Sequence, residues 1–373
     1  MNLSFWEKQT WFSNINFTVV GSGIVGLHCA LQLRAQHPTA KILVLEKGAL
    51  PEGASTKNAG FACFGSISEI LDDLKNHTAQ QVIDLVKKRK KGLELLRKNL
   101  GDQNIDFQQN GGYEIFLDHD QPFFDDCVAQ IPFVNHLFRE VFQSEMFLHK
   151  NIDFGFEKVF ETQIFNPFEG QIDTGKMMKS LLKKAVANNI LILNNQEVLD
   201  FCDNKTHVQI SLKDFSFTTQ KLFFATNGFA AKLTNNAVKP ARAQVLITSE
   251  IENLDWQGTF HLDRGYVYFR NIGKRVLLGG GRNLDFAGET TTDVATTTFI
   301  QNHLDHLLKT IILPSHNYTI EHRWAGIMGM GESKNPIVEQ LSENVFCGVR
   351  LGGMGVAIGS LVGTELADLY KNT

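Results

Sequence analysis

The chain has 373 residues, of which 43% are hydrophobic, and its 36 basic and 40 acidic side chains leave a net charge of -4. That length can bury a large core and implies two or more structural units. The near balance of charge excludes a nucleic-acid binder. The stretch containing Phe5-Trp6-Glu7-Lys8 and Trp11-Phe12-Ser13-Asn14 has no apolar run long enough for export or membrane insertion. A cytoplasmic protein with no membrane partner is therefore expected. The five cysteines, odd in number and without metal-ligand spacing, fit reduced thiols.

The first elements are the most informative. Asn16 to Val20 reads as an apolar strand, and Gly21, Gly23 and Gly26 follow at the spacing of a dinucleotide-binding turn. Gly21 permits a sharp turn, Gly23 a close approach to a pyrophosphate, and Gly26 tight packing of the next helix on the sheet. Ile24 to His37 then forms a helix without a breaker until Pro38, and its first turn, with Ser22, Ile24 and Val25, sits where the anion would lie. Lys41 to Leu45 is the second strand. Glu46, followed by Lys47, ends it where a carboxylate accepts hydrogen bonds from ribose hydroxyls. An acid at this place repels a ribose phosphate, which leaves NAD and FAD as candidates.

Glu52 to Ser66 is rich in small residues and suits a segment lying flat against a ligand. A helical pattern follows to about Leu100. Its basic cluster, Lys87-Lys88-Arg89-Lys90-Lys91, reads as a solvated face. Asn110 to Leu117 is a turn into a strand, Thr174 to Asn188 a helix, Ile190 to Leu193 a short strand, and Glu197-Val198-Leu199 the start of another. Lys221 to Phe224 is an apolar strand ending in the tight turn Ala225-Thr226-Asn227-Gly228. From Gln244 to Gly281 the chain is strand-rich, with Tyr266 to Arg270 and Arg275 to Gly280 flanking Asn271-Ile272-Gly273-Lys274 as a hairpin of an antiparallel sheet. Val345 to Gly348 leads through Gly352-Gly353-Met354-Gly355-Val356 into a last helix reaching about Tyr370.

Five segments in this order resemble the D-amino-acid oxidase, glycine oxidase and sarcosine oxidase family of FAD-dependent oxidoreductases. They are the Gly21 to Glu46 unit, Ser55-Thr56-Lys57-Asn58-Ala59-Gly60, Ala225 to Gly228, Arg323-Trp324-Ala325-Gly326, and Gly352 to Val356. The likeness covers nearly the whole chain and implies FAD as the cofactor. It also implies an α/β fold, a Rossmann-like βαβ domain joined to a second, largely antiparallel β-sheet domain for the substrate. The FAD domain is expected at residues 1–80, 151–240 and 320–373, and the substrate domain at 81–150 and 241–319.

The resemblance further implies that Ser55, Thr56, Asn58, Ala59 and Gly60 run past the flavin and its ribityl chain, and that Val198 meets adenine through its backbone. A helix starting near Gly353 would aim its free amides at the pyrimidine edge of the flavin. The implied reaction moves a hydride from the amine-bearing carbon of a small amine or amino acid to flavin N5, giving an imine that water hydrolyses. Oxygen or an electron carrier would then reoxidise the flavin, and no metal is expected. A 2-hydroxy-acid dehydrogenase using an acceptor other than oxygen, and a flavin-binding protein without turnover, are the alternatives.

Tyr266, Tyr268 and Arg270 are the substrate-contact candidates, because they alternate along one strand and so share a face. An arginine on an apolar strand needs a partner, either a substrate carboxylate or a structural acid. Phe61, Phe64 and Trp324 are candidate apolar walls. There is one departure from the family pattern. The carboxylate-binding arginine that such oxidases often carry just after the strand matching Trp324-Ala325-Gly326 is replaced by Ile327-Met328-Gly329-Met330. Arg270 or Arg350 would have to serve instead, or the substrate has no carboxylate.

Overall fold

The computed structural model describes residues 3–234 and 238–372. The parts of the expected FAD-domain segments at 1–2, 235–237 and 373 lie outside the described residues. Among the described residues, no helix is long and apolar enough to cross a membrane.

The strand Ile15–Val20 sits in the middle of the first sheet, parallel to Ile42–Leu45 on one side and to Ser216–Phe224 on the other. Leu191–Leu193 and Val345–Val349 extend the parallel ladder outward, and Ile337–Ser342 closes one edge antiparallel. Covered on both faces, Ile42–Leu45 is a continuous apolar run, as is the Leu222 to Phe224 end of Ser216–Phe224, whereas the start of that strand alternates between exposed and buried residues. Glu197 to Leu199 is irregular, contrary to expectation. Regular pairing starts only at Asp200–Asp203, which lies against Val208–Ser211.

Helices cover this sheet. Ile24–Gln36 leaves the glycine turn directly, and Gly355–Leu369 packs against it on one side and against Ala79–Leu100 on the other. Both contacts bring backbone to backbone. A Cβ at Gly363 would lie 2.5 Å from Val25 O, and one at Gly92 2.3 Å from Ala357 O. The helical stretch read as continuous to Leu100 is two helices, Ile67–Asn76 and Ala79–Leu100. Each starts on its own capping box, Ser66 with Glu69 and Thr78 with Gln81. The basic cluster is also less solvated than its composition suggests. Arg89 turns inward, is 4% exposed, and donates to Phe64 O at 2.6 Å.

The second sheet runs in the order Ile320–Met330, Lys239–Thr248, Arg275–Gly280, Val267–Ile272, Thr259–Leu262, Gly112–Glu114, Thr162–Asn166, Leu148–Asn151. All neighbours are antiparallel except the pair Thr259–Leu262 with Gly112–Glu114. The expected hairpin is present, with Ile272 opposite Arg275 and Gly273 at φ +56 in a two-residue turn. Three elements are grouped otherwise than the expected segment boundaries imply. Thr162–Asn166 and Ile320–Met330, expected with the FAD domain, belong to this sheet, whereas Ala79–Leu100, expected with the substrate domain, lies on the helices of the first. A strand's partner is chosen by long-range register, which its own residues do not display.

Alternation gives this sheet two faces. On one, Phe260 and Phe269 stack with centroids 4.8 Å apart, in a core shared with Trp256, Ile300 and Leu304. On the other, the register aligns Glu114, His261, Tyr268, Gly279, Val245 and Trp324 in a row across successive strands. That row belongs to the face turned toward the glycine turns of the first sheet.

The closeness of the last helix to the first makes a sharp test. Alanine is favoured over glycine inside a helix by about 1 kcal/mol, yet Gly363→Ala is expected to lower stability by about 1–3 kcal/mol, because its Cβ has no room beside Val25 O. Urea unfolding of the variant checks the sign, and stabilisation would contradict the packing.

Candidate active site

A cavity of about 680 Å³ opens between the two sheets. On the first-sheet side, Gly21, Gly23, Ile24 and Val25 of the opening turn line it, as do Glu46 and Lys47. Ser55, Asn58, Ala59 and Gly60 continue the wall, joined by Val198 and by Ala225, Thr226 and Asn227. The closing turn, Gly352, Gly353, Met354, Gly355 and Val356, completes it, and Tyr266 and Tyr268 face it from the second sheet. Segments far apart in the chain thus meet at one surface.

Four residues expected at the cofactor stand behind this wall and support it. Ser22 donates from its amide and its hydroxyl to Glu46 Oε2, at 3.1 and 2.8 Å. Gly26 presses on the turn, where a Cβ would meet Gly21 O at 1.9 Å. Thr56 gives its hydroxyl to Pro51 O, and Gly228 packs against Met328 O.

Local hydrogen bonds hold the lining residues in place. Glu46 is 5% exposed, and its other oxygen accepts from the Gly48 amide. Ser55 Oγ accepts from the Ile24 amide at 3.0 Å, tying the small-residue segment to the start of the first helix. Asn58 Oδ1 accepts from the Gly60 amide and from Thr174 Oγ1, both at 2.9 Å. Asn227, at φ +44, accepts from the amides of Arg350 and Leu351 and so fastens the middle turn to the closing one. Gly23 and Met354, the caps of the two helices that start at the cavity, supply no side-chain hydrogen bond to them. Apart from the Ile24 amide, which Ser55 holds, the positive ends of both helices are left to a ligand.

The substrate-contact candidates separate here. Arg270 shares the face of Tyr268, as the alternation predicts, but it is 5% exposed and does not line the cavity. Its guanidinium is spent on the carbonyls of Ala59 at 2.5 Å, Ile172 at 2.9 Å and Asn271 at 3.3 Å. Arg270 is therefore a clamp under the Ala59-Gly60 turn and not a substrate anchor. Arg350 is likewise occupied, bonding Asn335 O through two nitrogens. Phe61 is at the cavity, whereas Phe64 is packed on Phe142 and Trp324 donates its indole N–H to Lys57 O.

Two residues on the second-sheet side of the cavity were not anticipated. His261 lies beside Tyr268, and Phe61 meets both rings edge-on at 5.4 and 5.5 Å. Its Nε2 is 3.3 Å from Glu169 Oε2, an ion-pair distance without the alignment of a good hydrogen bond. Burial opposes the imidazolium, but Glu169, with Glu69 and Glu114, outweighs it and pushes His261 up to about 9. Burial also raises Glu114 to about 7, against hydrogen bonds from Ser68 that favour its ionised form. Cys63 lies within 4.8 Å of the same carboxylate and imidazole, and burial raises its thiol pKa. A protonated imidazole and a protonated thiol make this cluster an ion pair with a neutral neighbour. The other unanticipated residue is Arg282, which follows the run Gly279-Gly280-Gly281 and lines the cavity.

The chain matches the family described as FAD dependent oxidoreductase over residues 16–369, and it belongs to that family, with FAD as its cofactor. The probable oxidoreductase OrdL of Haemophilus influenzae is 18% identical, over 96% of this chain and 83% of that protein. Among solved structures, glycine oxidase from Geobacillus kaustophilus superposes with a TM-score of 0.75 at 17% identity, covering 96% of this chain and 95% of that one. L-proline dehydrogenase from P. horikoshii gives 0.72 at 18% identity, covering 96% and 94%. At these identities the structural likeness speaks for the fold.

The His261 pair has a pH signature. Its folded value of about 9 lies above the ordinary 6.5, so its contribution is complete below about pH 6.5 and is lost as pH rises through 9. The melting temperature is expected to fall over that interval, and His261→Gln should flatten the fall. An identical pH slope in the variant, read by differential scanning fluorimetry, would place the titration elsewhere.

Proposed function

We propose that this protein oxidises a small amine or amino acid, removing a hydride from the carbon that bears the nitrogen. The observation that carries the reading is the single cavity, with both glycine-rich helix starts on one wall and a tyrosine-bearing sheet on the other. The residues fit the cofactor of the family. At Gly21 and Gly23 a Cβ would lie within 2.8 Å of neighbouring atoms, so this turn stays bare and its backbone is presented to the cavity. When bound, FAD supplies the redox chemistry by accepting the hydride at N5.

The remaining work falls to the chain. The start of Ile24–Gln36 receives the pyrophosphate, and Glu46, fixed by Ser22 and Gly48, orients a ribose. The start of Gly355–Leu369 carries roughly half a positive charge and offers donors where negative charge develops in the reaction. Phe61, Tyr268, Val245, Ile327 and Met328 form a largely apolar enclosure that excludes water. An amine that enters uncharged needs no proton-transfer residue, so catalysis rests on orientation and electrostatics. The names of the two solved relatives put amino acids among the substrates of proteins with this fold.

The test is anaerobic mixing of the flavin-loaded protein with panels of amines, amino acids and 2-hydroxy acids, followed by air. Bleaching near the visible flavin maximum by an amine or amino acid is expected. Bleaching only by hydroxy acids, or by nothing, would refute the reading. Recovery of colour in air reports whether oxygen is the acceptor.

Position 353 tests the helix start. Gly353 is at φ +83 and has no neighbour closer than 3.5 Å to its would-be Cβ, and Asn and Asp both tolerate that backbone region. Gly353→Asp is expected to weaken FAD binding about tenfold or more relative to Gly353→Asn, since the two differ mainly in charge. Equal flavin affinity in the two variants would contradict the placement of the flavin against this helix.

A further inference from the structure

The cavity has a cation that the fold leaves unused. Most arginines around the second sheet are accounted for: Arg242 pairs with Glu289, Arg323 with Asp305, Arg275 with Glu250 and Glu321, and Arg270 with backbone carbonyls. Arg282 is different. It is partly buried and lines the cavity, and among the described residues its side chain has no hydrogen bond or ion pair. Its guanidinium lies 6.0 Å from the ring centre of Tyr266 and 4.8 Å from that of Phe286. Glu289 acts on it through space, but both carboxylate oxygens of Glu289 are taken by Arg242, and Gln244 also donates to one of them.

The local backbone fixes where this side chain stands. The chain leaves the strand Arg275–Gly280 through Gly281, at φ +77, whose amide donates to Tyr266 O at 2.9 Å. One residue later, Asn283 Nδ2 bonds Asp263 Oδ2 at 2.7 Å, tying the turn to the loop that precedes Tyr266. Arg282 is therefore held beside Tyr266 at the cavity. A guanidinium offers five N–H donors in a planar fork that matches a carboxylate. Leaving such a group half-desolvated without an acceptor is costly unless a ligand brings one.

We propose that Arg282 is the substrate-carboxylate anchor of this enzyme and that its substrate is an anionic amino acid or imino acid. This deepens the amine-oxidation reading and rests on it. The anchor reaches the cavity from the end of Arg275–Gly280, whereas the strand position after Gly326 presents Ile327, Met328 and Met330 to the same space.

The experiment titrates the flavin-loaded protein with acetate, glycolate and benzoate, and with the matching neutral amides, reading the perturbation of the flavin spectrum. At least one carboxylate is expected to bind saturably and more tightly than its amide. Arg282→Met should weaken that carboxylate about 10- to 100-fold, the loss of a charge-assisted hydrogen-bond pair, and leave the amide within about twofold. Arg282→Lys should recover part of the loss, since it keeps the charge without the fork. Flavin content accompanies each variant, and Arg282→Gln replaces the methionine variant if that one fails to hold flavin.

Carboxylates that bind the variant as tightly as the parent, or that leave the parent's flavin unperturbed, overturn the anchor. Carboxylate binding that depends on Arg282, in a protein whose flavin no amine or amino acid bleaches, would keep the anchor and defeat the oxidation reading instead.

Discussion

The structure depends on the close approach of its last helix to its first. Gly359 and Gly363 follow one another by one turn along Gly355–Leu369, and Cβ atoms there would stand 2.8 Å from Ile24 Cγ2 and 2.5 Å from Val25 O. Contact therefore begins at the starts of both helices and runs in the same direction along each. Two positive helix ends are brought side by side, an arrangement that repels itself until an anion lies between or before them. A ligand with a diphosphate removes that repulsion, and by linkage its binding stabilises the folded chain. The glycine stripe thus does more than save space, because it couples the integrity of the first sheet to its cofactor.

The second sheet solves a complementary problem, since it must present polar groups to the cavity while keeping an apolar core behind it. Strict alternation does this on Thr259–Leu262 and Val267–Ile272, with Phe260 and Phe269 on one side and His261 and Tyr268 on the other. Gly279, next to Tyr268 in the register, has no side chain because a Cβ would meet the tyrosine ring at 2.7 Å and Val245 at 2.3 Å. Arg270, one step further along the strand, crosses the gap between the layers and fastens Ala59 and Ile172 to the sheet. The Ala59-Gly60 turn and the sheet across the cavity are thereby held at a fixed separation, as the proposed hydride transfer would require of a scaffold.

The legibility of these features followed the distance over which each is determined. The Gly21 to Glu46 unit was readable because strand, turn, helix and acid are consecutive, and each glycine has a local steric reason. The shared face of Tyr268 and Arg270 was readable from a period of two. The fate of Arg270 was not, since its partners are carbonyls 211 and 98 residues away that any sequence would supply. The break at Thr78 was written in the chain as Thr78 and Gln81, a capping box inside an otherwise helical pattern that read as continuous. Strand membership of Ile320–Met330 and the irregularity at Val198 depend on register against distant strands. Arg282 was the hardest to see, because its meaning lies in the absence of a partner, and only a structure displays an absence.

The electrostatics of the second-sheet side of the cavity bear on how an amine would arrive under the proposed reading. His261 is held protonated by Glu169, and Arg282 is a cation without a counter-charge of its own. On the proposed reading a carboxylate seated on Arg282 balances that cation, and Glu169 already balances His261, so an ammonium on the same small molecule would gain no new counter-charge from either and would still lose hydration. Such a setting favours the neutral amine, as burial does for any lysine. If the proposed amine oxidation holds, the proton is lost on binding and not during the reaction, and the site needs no dedicated base. In that reaction the lone pair of the neutral nitrogen is what allows the adjacent carbon to give up its hydride, so an enclosure that disfavours the ammonium serves the chemistry directly.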